Sequence, residues 1–397
     1  MMSRAKGLAL VIGLCVMAAM LGACSSGSDD DGGERVSSRS YSGHETDEDA
    51  NNLVSVYPDT VGTRLDDCKT CHRAGVEGTD TETIYNVCDY CHLLEFPNER
   101  LKTGVPATFE DTLNPYGLAY ADAGRDRAAL RLIRSADADG DGHANDAEIR
   151  ALRYPGDPGS RPDQPLAPVI ELTSADIEAM PVHEQFMLMV TTQQQFDDYV
   201  TYGGVTVADL LAVAGVDLSG AEGITVFAPD GFGKDFSMED IAREFPRGTF
   251  YQTPAFPDPL MELVNYPDPL PAPYQDGEEI PDLLRLMLAY TRDGERLETS
   301  YYESGSGKLT GEGPFRLIIP QSVPSRPDRG KSYGPYRDGW DYSPSIDHNA
   351  GACVRGACVI RVNPMPPGYE EYDWKNGWSL IEDGKVVIYG HGVTPIP

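Results

Sequence analysis

The chain has 397 residues, with 32 Lys and Arg against 63 Asp and Glu, a formal charge of −31. That sign excludes a nucleic-acid binder, which needs an excess of cations to displace phosphate counterions. Hydrophobic residues at 40% leave enough for packed cores, and 21 Tyr with 31 Pro point to a loop-rich, exported protein rather than a disordered one.

Arg4 and Lys6 precede an apolar run at 8–20. It is too short for a comfortable membrane span and has the basic-then-apolar order of a secretory signal. The run ends in Leu21-Gly22-Ala23-Cys24, which resembles a bacterial lipobox. The resemblance implies cleavage after residue 23, a diacylated Cys24, and a chain held on the periplasmic side of a membrane. Ser25 follows the cysteine, where Asp would favour the inner membrane, so the outer membrane is favoured. Ordinary cleavage, with Cys24 incidental, is the alternative. Residues 1–23 are therefore expected to be a signal peptide. Residues 24–43, rich in Ser, Gly and Asp, are expected to form a flexible tether.

Cys68-Lys-Thr-Cys71-His72 and Cys88-Asp-Tyr-Cys91-His92 are both C-x-x-C-H, the attachment signature of c-type haem. Two cysteines about one helical turn apart suit thioethers to two vinyl groups, and the adjacent His ligates iron. The same four cysteines have a zinc spacing, but zinc gives no reason for a His after each pair. Met180 is the first methionine after Cys24, so no methionine lies within the haem region to serve as sixth ligand. His44, just upstream, is the first choice as a distal ligand, with an exposed tether-end histidine as the alternative. The other distal ligand has no candidate.

Asp137-Ala-Asp139-Gly-Asp141-Gly142-His143-Ala-Asn145-Asp-Ala-Glu148 matches the twelve-residue EF-hand loop. Asp137, Asp139 and Asp141 would offer oxygens at positions 1, 3 and 5. His143 would give its backbone carbonyl, Asn145 would coordinate through its side chain or a water, and Glu148 would close the shell. The expected ion is calcium, acting as a structural clamp. Ala128, Ala129, Leu132 and Ile133 are expected to be the buried face of the helix entering the loop. Residues 44–157 are thus expected to be a small α-rich dihaem module, because the stretch from about 45 to 125 is too poor in aliphatic residues to build a core without porphyrin.

A Pro/Gly-rich linker is expected at 158–168, followed by a mixed α/β domain at 169–397. Thr206-Val-Ala-Asp209 reads as a capping box opening a helix at 207–214 that stops at Gly215. Strands are expected at 186–190, 224–228, 286–291, 315–319 and 359–362, with a hairpin turning at Asp383-Gly384 between 380–381 and 386–389. Cys353 and Cys358 bracket Val-Arg-Gly-Ala, which suits a hairpin closed by a disulfide, although two reduced cysteines fit equally.

Segments 205–216, 224–232, 290–297 and 311–320 together resemble the molybdopterin domain of the sulfite oxidase family. Two insertions, 254–281 and 321–351, interrupt the match. That family binds molybdenum through a cysteine early in the domain, and none lies between Cys91 and Cys353. Molybdopterin is therefore not expected. Gly311-Glu312-Gly313-Pro314, with two C-x-x-C-H motifs and the acidic loop, resembles a bacterial family of GEGP-motif dihaem c-type cytochrome lipoproteins. Read from the residues alone, the motif is a tight turn before a strand. Arg326, Arg329, Lys331 and Arg337 alternate with Tyr333, Tyr336, Trp340 and Tyr342 in the one local basic-aromatic stretch, a solvated loop or a docking site for an acidic redox partner.

The expected function is electron transfer by a membrane-anchored dihaem cytochrome. A redox enzyme using an open haem or a molybdopterin-type site is the first alternative, and a redox-sensing assembly module the second.

Overall fold

The computed structural model describes residues 35–36, 48–73, 75–76, 84–85, 110–191, 197–229, 232–252, 264–272, 274–303, 308–327, 346–373 and 377–394. Helices and several mixed sheets are both present, and the buried side chains form separate cores. No helix among these residues is long and apolar enough to cross a membrane. Cys24 and His44 lie outside the described residues, as does the motif at Cys88, Cys91 and His92.

Among the described residues, the N-terminal unit is built from four short helices: α1 (Glu48–Val56), α2 (Pro115–Asp122), α3 (Arg127–Leu132) and α4 (Asn145–Arg150). Its core is rich in tyrosine, with Tyr57, Tyr116, Tyr120 and Tyr154 packed among Leu53, Leu65, Leu130 and Ile149. Leu130 fills this core while Leu132 stands 72% exposed, which reverses part of the face expected for α3. The helix is only six residues long and tightens into a 3-10 turn at Ile133, so the 3.6-residue periodicity has little length to act over.

Besides small pairings of 249–250 with 278–279 and of 301–303 with 308–310, the described residues of the β-rich unit hold two larger sheets. One follows the order β1 (Val169–Thr173), β11 (Lys385–Gly390), β10 (Val359–Asn363), β4 (Gly223–Phe227), β5 (Gly233–Ser237), with β10 and β11 parallel. The other runs β9 (Val354–Arg355), β8 (Arg316–Ile318), β6 (Met287–Arg292), β3 (Asp198–Thr206), β2 (His183–Met189), and β7 (Glu295–Arg296) folds back on β6. Side-chain alternation explains the unbroken apolar runs. In β2, Met187 and Met189 enter the core shared by the two sheets, while Phe186, Leu188 and Val190 face an aromatic cluster on the opposite side. β11 divides likewise, Val386 and Ile388 inward, Val387 and Tyr389 outward beneath α8 (Gly377–Asp383).

The expected helix at 207–214 is observed as Val207–Val213, with the Thr206 hydroxyl accepting from the Asp209 N–H at 3.0 Å. The hairpin at Asp383-Gly384 is not. Leu380 and Ile381 belong to α8, Gly384 ends that helix at φ +64°, and β11 pairs in parallel with β10.

The segment expected to be a linker is instead a packed joint. Ser160 is fully buried and donates to Glu370 at 2.7 Å. Ala167 N–H donates to the Glu370 carbonyl at 2.8 Å, and Glu370 N–H to Pro165 at 2.9 Å. Arg64 and Arg153 pair with the Glu370 carboxylate at 2.7 and 3.1 Å. The Tyr154 hydroxyl donates to Asp373 at 2.5 Å, and Arg64 stacks 4.5 Å above its ring.

Candidate functional site

Cys68–Thr70 forms a single 3-10 turn that opens on Asp67, whose carboxylate accepts from the Lys69 N–H at 2.7 Å. Thr70 donates to the Leu65 carbonyl at 2.9 Å. The chain then leaves through His72, which bridges to Leu113 in antiparallel fashion. Asn114 fixes this loop from behind. Its side-chain amide donates to the carbonyls of Lys69, Thr70 and His72 at 2.9, 3.2 and 3.3 Å, and its Oδ1 caps α2 through the Gly117 N–H at 2.9 Å. Gly117 packs so closely that a Cβ there would overlap the Cys71 carbonyl. This grip on the cysteine loop is not legible in the sequence, because it joins residues more than forty positions apart.

The His72 Nδ1 lies 3.1 Å from the Thr112 hydroxyl. A hydrogen bond at one ring nitrogen fixes the tautomer and orients the other for ligation. Beside Cys68, Cys71 and His72 opens a cleft of about 850 Å³, counted with its mouth, lined further by Leu53, Leu113 and Tyr120. Its enclosed part is about 160 Å³, the rest being open mouth. One wall is α1 and the opposite wall α2, held together by Arg125 pairing with Asp49 at 2.6 Å and by Tyr120 donating to Asp49 at 3.0 Å. Cys68 and Cys71 could anchor a covalently attached cofactor here, and His72 could supply a ligand to its metal.

The four described histidines outside the motif sit elsewhere. His143 faces Asp163, His183 contacts Gln185, His391 contacts the Ser219 carbonyl, and His348 is buried beside Asn349 in the β-rich unit.

The acidic loop closes as its spacing requires. Ligand oxygens of Asp137, Asp139 and Asp141 all lie within 4.8 Å of one another. Asp137 accepts from the N–H groups of Gly140, Asp141 and Gly142, with Gly140 and Gly142 at φ +83° and +98°. These bonds, the Gly142 one foremost, hold the Asp137 carboxyl below the ordinary range. Burial, then the charges of the three aspartates, pushes Glu148 up to about 8. Burial and Asp141 push Asp139 up to about 6. Asn145 departs from expectation. It is fully buried, its amide donating to the Ile133 carbonyl at 2.8 Å and its Oδ1 accepting from the Ala138 N–H at 3.1 Å. It ties the loop's ends together and is not turned to the ligand cluster.

The GEGP motif proves to be more than a turn. Glu312 pairs with Arg292 and Arg316, each at 2.9 Å. Burial works against the Glu312 charge, but Arg316 and Arg292 prevail and hold its pKa below normal. Arg355 stands directly opposite Arg316 across β8 and β9, and burial and then Arg316 push its pKa down.

The expected disulfide is absent: Cys353 and Cys358 are not bonded to each other. The chain between them passes from one sheet to the other, β9 pairing with β8 and β10 with β4, so no hairpin forms. Cys353 enters the shared core, 3.8 Å from the Met189 sulfur, while Cys358 joins the cluster beneath α8 and contacts the Phe227 carbonyl at 3.6 Å. Of the basic-aromatic stretch, Arg326 lies over the Tyr251 ring at 4.3 Å, and residues 328–345 lie outside the described residues.

No protein-family model matches the chain, and no curated protein matches it.

Proposed function

We propose that this chain is an electron carrier with haem covalently held at Cys68 and Cys71, His72 serving as the proximal ligand. The observation that carries the reading is the cleft beside these three residues, whose loop is clamped by Asn114 and whose histidine is oriented by Thr112. When bound, haem supplies one-electron chemistry; the chain's residues anchor it, set its ligand and shield it from water. Cys88, Cys91 and His92 repeat the motif and would hold a second haem close enough in sequence for relay. Cys24, lipidated, would tether the carrier to a membrane, the outer membrane favoured. The GEGP-type dihaem lipoproteins are the family this combination points to, with a sulfite oxidase-like domain lacking its cysteine ligand. An excess of 31 negative charges selects a redox partner with a basic face.

The test is redox titration of the protein made in a host that attaches haem. A reversible low-spin haem spectrum with two one-electron components is expected. His72→Ala should remove one component and spare the other, and loss of neither would overturn the assignment.

A further inference from the structure

Glu148 is fully buried, and neither oxygen of its carboxylate has a hydrogen-bond partner. A buried carboxylate left in that condition costs several kcal/mol unless a cation meets it. Its strongest electrostatic neighbours are Asp139, Asp141 and Asp137, and one buried oxygen each of Asp139 and Asp141 is likewise without a partner. No Lys or Arg occurs between 137 and 148 to answer these charges. The His143 ring turns away to Asp163 at 3.3 Å, so that this position can offer the cluster only its main-chain carbonyl. An all-oxygen set with a carboxylate able to bind through both atoms suits calcium, which accepts six to eight such ligands in irregular geometry.

The loop is also wired to the joint. The Glu148 carbonyl accepts from the Arg153 N–H at 2.8 Å, and the Arg153 guanidinium pairs with Glu370 at 3.1 Å. The same guanidinium donates to the Arg161 and Gln164 carbonyls, each at 3.1 Å. On the other side of the loop, His143 reaches Asp163 in the joint segment. Pulling Glu148 toward an ion therefore fixes the end of α4, from which Arg153 and Tyr154 enter the joint. We propose that residues 137–148 bind one calcium ion and that the bound ion locks the joint between the helical unit and the β-rich unit. The lock is independent of the haem reading.

Calorimetric titration of the intact chain with calcium should give one site. Glu148→Gln and Asp141→Asn should each weaken it by about tenfold or more. Hydrogen exchange across 153–167 and 366–373 should slow by about tenfold on adding calcium. Arg153→Met should keep calcium affinity within about twofold but lose that slowing. No saturable calcium binding, or unchanged affinity in both loop variants, overturns the site. Calcium binding that leaves exchange across the joint unchanged overturns the lock.

Discussion

The Asn114 side chain donates to three carbonyls of the cysteine loop and caps α2 at Gly117, so one residue holds that loop against the start of α2. Asn114→Ala removes the cap and leaves the three carbonyls, only partly reached by water, without this donor, a cost of about 3 kcal/mol from one cap and two or more hydrogen bonds. Urea denaturation should report that loss, and haem attachment at the first motif should fall with it. A variant as stable as the native chain would show that the loop is held by something else. Asn145 teaches the same lesson from the other direction. Its sequence position is that of a ligand, but its environment makes it a brace, with both polar atoms turned to the backbone.

At the level of the strand, Gly204 lies where β3 crosses β6, and a Cβ there would overlap the Leu288 carbonyl and the Ala289 backbone. Gly204→Ala should therefore push the two strands apart and cost about 1–3 kcal/mol, read as a drop in thermal midpoint. Unchanged melting would mean that the neighbouring bulge between Ala289 and Thr291 absorbs the methyl. Strands with a strong apolar pattern were legible in the sequence: β2, β4, β6, β8 and β10 all fall where alternation or an unbroken run put them. β3 was not, because Gly203 and Gly204 dilute its pattern. The Asp383-Gly384 pair was misread because the same Gly at positive φ serves a hairpin and a helix end alike. The cysteine and acidic motifs were visible because their chemistry fixes local spacing. The clamp by Asn114, the pairing of Glu312 with Arg292 and the joint at Glu370 were not, since each joins residues distant in the chain.

Across the whole molecule, a helical unit that carries the cysteine loop is pinned to a two-sheet unit by Glu370 and Asp373, which receive Arg64, Arg153 and Tyr154. Arg64 stands four residues before Cys68, so the cysteine loop and the joint share one short stretch of chain. Burial works against the charge on Arg64, yet Glu370 keeps its pKa raised, so Arg64 stays charged within the joint. Such a connection ties the β-rich unit to the helical unit that lines the cleft. The central claim is covalent haem, and intact-mass spectrometry of the chain purified from a haem-attaching host tests it most directly. The predicted mass is that of the processed polypeptide carrying two haems, falling to one when Cys68 and Cys71 are both changed to Ser. A polypeptide without covalent haem, with the four motif cysteines bound to one zinc ion, would contradict it.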